Sequence, residues 1–270
     1  MDFQFLKYEA DERVATITFN DPRRYNAINS VMKKEFRTAI AKAGNDEDIR
    51  VIILTGAGGK AFSTGHDLGA ADASQRSVMD WRNRIADHSD FAYSVWACPK
   101  PVIAQIEGYC LGGALEFAQM CDIRYCSDDS KFGVVQSRFS VGVGTLAMPW
   151  IIGARCRELI YTGDTIGANE AKEMGLVNRV FPKDRLQVET TKIAKRMSLI
   201  ATECLQWNKR AINQTYDIMG FHAATTYGIE ACAMLQAIDP PEYKEFQRIR
   251  QEKGMKEALN WRDAPFKQFE

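Results

Sequence analysis

The chain has 270 residues, enough for one large domain with a real core or for a domain with an appendage. Its apolar share of 46% is that of a globular protein. Lys plus Arg and Asp plus Glu both number 35, so the formal net charge is zero; no broad basic field exists for nucleic acid or an anionic membrane, although a local basic patch for an anionic small molecule stays open.

The N-terminal MDFQFLKYEADERV lacks the basic-then-apolar pattern of a secretory leader, and no apolar run is long enough to span a bilayer. The expectation is a soluble, cytoplasmic protein with no membrane or nucleic-acid partner. RVATITFN (Arg13–Asn20) reads as a strand paired with the preceding FQFLKYEA. NDPRRYNAIN is a turn punctuated by Asp-Pro. Ser30 is expected to cap a helix through VMKKEFRTAIAKAG, in which Val31, Phe36, Ile40 and Ala43 fall near helical spacing. VIILTG, four apolar residues closed by a glycine turn, predicts a strand buried on both faces. The glycine-rich AGGKAFSTGHDL follows as a loop, then a helix over Asp80–Trp96, then a strand in PVIAQIEG that leads into a helix opened by Gly112 and Gly113.

The rhythm repeats. IRYCSDDSKFGV predicts short strands, and VGTLAMPWIIGARCRELIYTG predicts helical segments. GANEAKEMG is a short helix with a C-terminal glycine, and LVNRVF a strand ending at Pro182. Residues 183–260 read as helical with no further strand. His222–Ile238 is apolar around much of its circumference and requires cover from its own core or from a neighbouring subunit. The reading is α/β over residues 1–182 and helical over 183–270. Seven cysteines, an odd number with no C-x-x-C, read as buried free thiols of a reducing compartment. Three dispersed histidines suggest no zinc site.

GHDL and CLGGALE each leave a strand through a tight glycine turn that presents backbone N–H groups outward. At Gly112–Gly113 the turn becomes a helix N-terminus, which favours negative charge. Two such donors on one point make an oxyanion hole; glycines that only reverse the chain would look the same. Glu116 follows Gly113 by three residues, inside the apolar run Ala114, Leu115, Phe117, Ala118. Burying an unpaired carboxylate is costly, so Glu116 either faces solvent on an amphipathic helix or serves a site.

FNDPRRYNAIN, VIILTGAGGKAFSTGHDL, KPVIAQIEGYCLGGALEFAQMCD, KFG, IGARCRELIYTGD and ANEAKEMGLVNRVFP together resemble the crotonase superfamily of enoyl-CoA hydratases and isomerases over roughly residues 5–185, in the family's order and spacing. The resemblance implies a crotonase-like spiral of ββα units, then a helical C-terminal region that builds trimers or hexamers. It implies an acyl-CoA thioester as ligand, with coenzyme A part of the substrate and no separate cofactor or metal. The thioester oxygen would lie between the backbone N–H groups of His66 and Gly113. Ala27, Ser63, Gly65, Asp67, Leu68 and Gly112 would line the ligand site. Glu116 would be one of a hydratase's two catalytic glutamates, its pKa raised by burial.

The second glutamate is missing. FGVVQSRF places Gln136 there, with Val135 for the usual proline. Gln orients by hydrogen bonding but does not titrate. Three readings follow: a hydratase or hydratase-like lyase with Glu116 alone and a Gln136-held water; an isomerase or other enolate enzyme with Glu116 moving the proton; or an acyl-CoA-binding paralogue with little catalysis. The His66 side chain either lines the pocket or takes part in acid–base work, and Asp67 is expected to fix its loop. Arg138 is a candidate for a polar acyl group, for Glu116, or for the surface. Arg23 and Arg24 are candidates for CoA phosphates against ordinary solvated arginines. Acyl specificity is assigned to residues around 70–96 and to the C-terminal helices.

Overall fold

The chain starts as a hairpin. Strands β1 (Leu6–Asp11) and β2 (Val14–Phe19) pair antiparallel, Leu6 opposite Phe19, as expected from their alternation. The computed structural model describes residues 2–70 and 77–269; residues 71–76, the start of the segment expected to tune the acyl site, lie outside the described residues. After a 3-10 turn at Pro22–Arg24 comes helix α1 (Ser30–Asn45). Its cap is Asn29, not Ser30: Asn29 holds extended backbone and its side chain accepts from the Met32 N–H at 2.8 Å, so Ser30 is already helical. Met32, Phe36, Ala39, Ile40 and Ala43 face the core, whereas Val31 is exposed.

Three times the chain then lays a strand in a large sheet followed by a shorter strand in a small one. These pairs are β3 (Val51–Gly56) with β4 (Ala61–Ser63), β5 (Val102–Ile106) with β6 (Tyr109–Leu111), and β7 (Ile123–Ser127) with β8 (Lys131–Gly133). Helix α2 (Val78–Trp96) follows the first pair and α3 (Gly113–Gln119) the second. Helix α2 begins two residues before the expected Asp80, because Ser77 and Asp80 form a reciprocal capping box. Helices α4 (Met148–Ile152) and α5 (Cys156–Thr162), strand β9 (Thr165–Gly167), helix α6 (Ala168–Glu173) and strand β10 (Arg179–Phe181) complete this part.

The large sheet runs β1-β2-β3-β5-β7-β10 and is parallel beyond the hairpin; the small one runs β4-β6-β8-β9, with β9 antiparallel. This is the ββα spiral the resemblance implies. Strand β6 has no signal of its own in the sequence, where PVIAQIEG reads as leading straight into a helix; three residues are too few for a period of two to register. Strand β3 is buried on both faces for a simple reason. Ile52 and Leu54 enter the main core with Phe19, Phe36, Phe91 and Phe117, while Val51 and Ile53 point the other way.

That second face is covered by α7 (Leu186–Met197), through Leu186, Ile193 and Ala194. Helices α8 (Thr202–Ile218) and α9 (Phe221–Ile238) follow. Helix α9 lies along α2, with Phe221 stacked on Trp96 at 4.5 Å. Its opposite side stays uncovered in the single chain: Tyr227 is 73% and Ile238 70% exposed. Helices α10 (Pro241–Lys253) and α11 (Met255–Asp263) build a small core of Phe246, Ile249 and Ala258 around Phe139, with Leu68 packed against it. All seven cysteines are free; six are buried, but Cys204 is exposed on α8, contrary to the reading of all seven as buried. Among the described residues, no helix is long and apolar enough to cross a membrane.

Candidate active site

The small sheet explains why distant glycine turns meet. Strands β4, β6 and β8 are parallel neighbours, with Ser63 beside Cys110 and Leu111 beside Gly133. Their C-terminal ends therefore lie side by side, and each leads within three residues to one candidate group: His66 after β4, Gly113 after β6 and Gln136 after β8. The Gly112 N–H donates to Gly133 O at 2.9 Å and locks two of these turns together. Gly65, at φ +95°, closes the third: a Cβ there would stand 2.9 Å from Leu111 O and 3.0 Å from Gly113 N. The His66 turn is pinned by Ile28, whose N–H donates to Gly65 O and whose carbonyl accepts from the Asp67 N–H. Gly113 opens α3, so its N–H lacks an intrahelical acceptor. The turns that carry His66 and Gly113 are thereby held against each other at the start of α3.

Glu116 sits one helical turn beyond Gly113. It is surrounded by protein yet keeps some accessible surface, as a group facing an internal space does. Its Oε2 accepts from the Thr145 N–H at 2.6 Å and its Oε1 from Gln136 Nε2 at 3.0 Å. Burial raises its pKa from the ordinary 4.5 to about 7, against the opposing pull of hydrogen bonds from Thr145, Gly144 and Gln136. A carboxylate poised there can take up and return a proton near neutrality. Gln136 is buried, and its Oε1 has no partner. Since Nε2 serves Glu116, the free Oε1 can only accept.

The His66 ring packs on the start of α3. A Cβ on Gly113 would lie 2.7 Å from its Nε2 and closer still to its Cδ2. Its other face stacks on His88 of α2, ring centroids 3.7 Å apart and 21° from parallel. Burial, with Lys33 and Arg84 nearby, drives the His66 pKa down to about 3; burial and the His66 ring drive His88 well below its ordinary value. Both shifts favour the neutral imidazole.

The other sequence candidates separate into two groups. Ser63 Oγ accepts from the Gly65 N–H at 3.2 Å, and Asp67 accepts from Gly69 N–H at 2.8 Å and from Arg24 at 2.6 Å, so both stiffen the His66 turn as expected of Asp67. Ala27 precedes Ile28, which bridges to His66, and Leu68 packs under α10 while its carbonyl accepts from Arg250. Arg138 is not brought to Glu116. Its buried side chain binds Gly163 O and Asp164, each at 3.0 Å, and lies over the Phe266 ring, so it ties the β8–α4 segment to the C-terminus. Arg24 is held by Asp67, and Arg23 is exposed.

Three contributors were not found in the sequence: His88, the Thr145 N–H, and Asn26, whose buried amide donates to Ala57 O and Ala61 O and anchors the turn before α1. Only the glycines at 142 and 144 hinted at a special backbone before Thr145. A surface depression of about 360 Å³ between α2 and α9, lined by Tyr93, His222 and Thr225, lies apart from these groups.

The sequence and the fold resemble those of known proteins. The family model described as enoyl-CoA hydratase/isomerase matches residues 9–268. A Mycobacterium bovis protein named probable enoyl-CoA hydratase echA8 is 35% identical over 80% of this chain and 84% of its own. The crotonyl-CoA hydratase of Syntrophomonas wolfei is 32% identical over 79% of this chain and 83% of its own. The crystal structure of an enoyl-CoA hydratase/isomerase from Xanthobacter autotrophicus Py2 superposes with a TM-score of 0.94 at 33% identity, covering 98% of this chain and 99% of that one. The chain therefore belongs to the enoyl-CoA hydratase/isomerase family, whose members act on acyl-CoA thioesters.

Proposed function

We propose that this protein adds water across the double bond of a 2-enoyl-CoA, with Glu116 as the single proton-transferring group. The observation that carries the reading is the Glu116 carboxylate, one turn from Gly113 and held on both oxygens with a pKa near 7. The thioester oxygen lies between the N–H groups of His66 and Gly113. Water oxygen bonds to Cβ as Glu116 takes one of its protons, and the π electrons move onto the thioester oxygen as an enolate. The enolate collapses as Glu116 gives that proton to Cα, so the elements of water are added and the carboxylate is regenerated. The free Oε1 of Gln136 accepts a hydrogen bond from the attacking water and orients it. Helices α10 and α11 pack against Leu68 and Phe139, which supports closure of the site from the same chain, and the helical region from 183 onward supports a homotrimer or hexamer.

Gln136, standing where a second carboxylate is expected, favours one other reaction, the movement of a proton between Cγ and Cα by Glu116 with no water added. One experiment separates them. Purified protein is incubated with crotonyl-CoA and with 3-enoyl-CoA, and the products are weighed by mass spectrometry. Hydration adds the mass of water and bleaches the enoyl absorbance, whereas isomerisation leaves the mass unchanged. Glu116→Gln should lower either turnover by about 10²–10⁴-fold while calorimetry still detects acyl-CoA binding. Full activity in that variant refutes the assignment of Glu116, and absence of binding to every CoA thioester refutes the whole reading.

A further inference from the structure

Two histidines are stacked beside the candidate oxyanion site, and the reaction above uses neither imidazole. His66 and His88 are surrounded by protein yet keep accessible surface, as Glu116 does. The Nδ1 atom of His66 is buried without a hydrogen-bond partner. Such an atom is costly when left unpaired, and buried polar groups are normally satisfied.

The pair also stands between Gly113 and the helix face that reaches Glu116. On α2, Ile85, His88 and Phe91 recur at helical spacing. Phe91 stacks on Phe117 of α3 at 4.6 Å. Ile85 reaches the other end of the site: a Cβ on Gly144 would lie 2.8 Å from Ile85 Cγ2 and 3.9 Å from Glu116 Oε2. His88, between them, meets His66, whose ring edge abuts Gly113. The imidazoles therefore lie along the wall that runs from the oxyanion turns past the carboxylate. Behind them Asp87 is held by Lys33 and by Arg37 at 2.7 Å, which fixes this turn of α2 against α1.

We propose that the His66–His88 pair is the specificity element of the acyl site and receives an oxygen-bearing substituent, a hydroxyl or a carboxylate, carried by the acyl group close to the reacting carbons. The inference rests on the acyl-CoA reading above. The neutral imidazole, which burial favours in both rings, offers one N–H donor and one nitrogen acceptor. A plain hydrocarbon chain would leave these groups dehydrated and unmatched, and a site built to hydrogen-bond its substrate rejects the analogue that lacks the partner.

The test compares kcat/KM for crotonyl-CoA, 4-hydroxycrotonyl-CoA and glutaconyl-CoA, in the parent protein and in His88→Phe, which keeps the stacked ring but removes both nitrogens. Saturated analogues of each are titrated calorimetrically, so that binding is read without turnover. The expected result is a preference of at least about tenfold for one oxygen-bearing acyl group over crotonyl-CoA in both kcat/KM and binding, lost or reversed in His88→Phe. The hydroxyl and carboxylate arms identify which oxygen group is recognised. If all three bind and react alike, or if His88→Phe changes all three by one common factor, the pair is packing and the inference is wrong while the acyl-CoA reading stands. If no CoA thioester binds at all, both fall.

Discussion

Gln136 donates its side-chain N–H to the Glu116 carboxylate at 3.0 Å, so the residue that replaces a second acid is in direct contact with the one that remains. The contact fixes the orientation of the amide, leaves one acceptor free, and lowers the Glu116 pKa without cancelling the larger upward effect of burial.

The first prediction concerns pH. With Glu116 acting as a base, kcat/KM should rise with pH through about 7 and then level, and this limb should be missing from the residual activity of Glu116→Gln. The same shift has a stability consequence. The folded state holds the Glu116 proton more tightly than the unfolded chain, so wild-type stability falls as pH rises from about 4.5 to about 7 and stays reduced above it. Glu116→Gln removes that loss. It should be more stable than wild type above pH 7, by up to ~3 kcal/mol for a pKa raised from 4.5 to about 7, with the gap closing near pH 4. Urea melts at both pH values measure it, and a gap independent of pH would contradict the raised pKa.

Gln136→Glu places two carboxylates in contact. Each disfavours ionisation of the other, so the rising limb of the pH profile should move upward by about one unit or more. A profile identical to wild type would mean that position 136 does not sense Glu116.

Gly113→Ala should cost about 1–3 kcal/mol and most of the activity, because the new methyl meets the His66 ring, 2.7 Å from its Nε2. Adding His66→Ala should recover much of the lost melting temperature. If the double variant melts no higher than Gly113→Ala, the ring is not the obstacle.

The uncovered faces of α8 and α9, where Ile218 is 78% and Tyr227 73% exposed, should be buried between subunits. Light scattering should give a mass of at least three chains of 30.5 kDa. Ile238→Lys should weaken the assembly, and a single-chain mass for the wild-type protein at micromolar concentration would reject it.

Much of the architecture was legible in the chain itself. The VIILTG run, the glycine turns and the apolar helix at 222–238 carry local periodicity, and local periodicity survives in one dimension. Glu116 was legible as well, since a carboxylate three residues into an apolar helix start is an anomaly that asks for a reason. Short strands such as β6 were not, because three residues carry too little pattern. Tertiary structure alone decided which groups meet. The parallel register of β4, β6 and β8 brings residues 66, 113 and 136 together, whereas the Arg138 guanidinium turns toward Asp164. The partnership of His66 with His88 joins a turn to a helix 22 positions on, through packing that no spacing rule encodes. The pKa of Glu116 is of the same kind: the sequence supplies the carboxyl group, but the burial that lifts it and the Thr145 and Gln136 hydrogen bonds that restrain it exist only once the chain has folded.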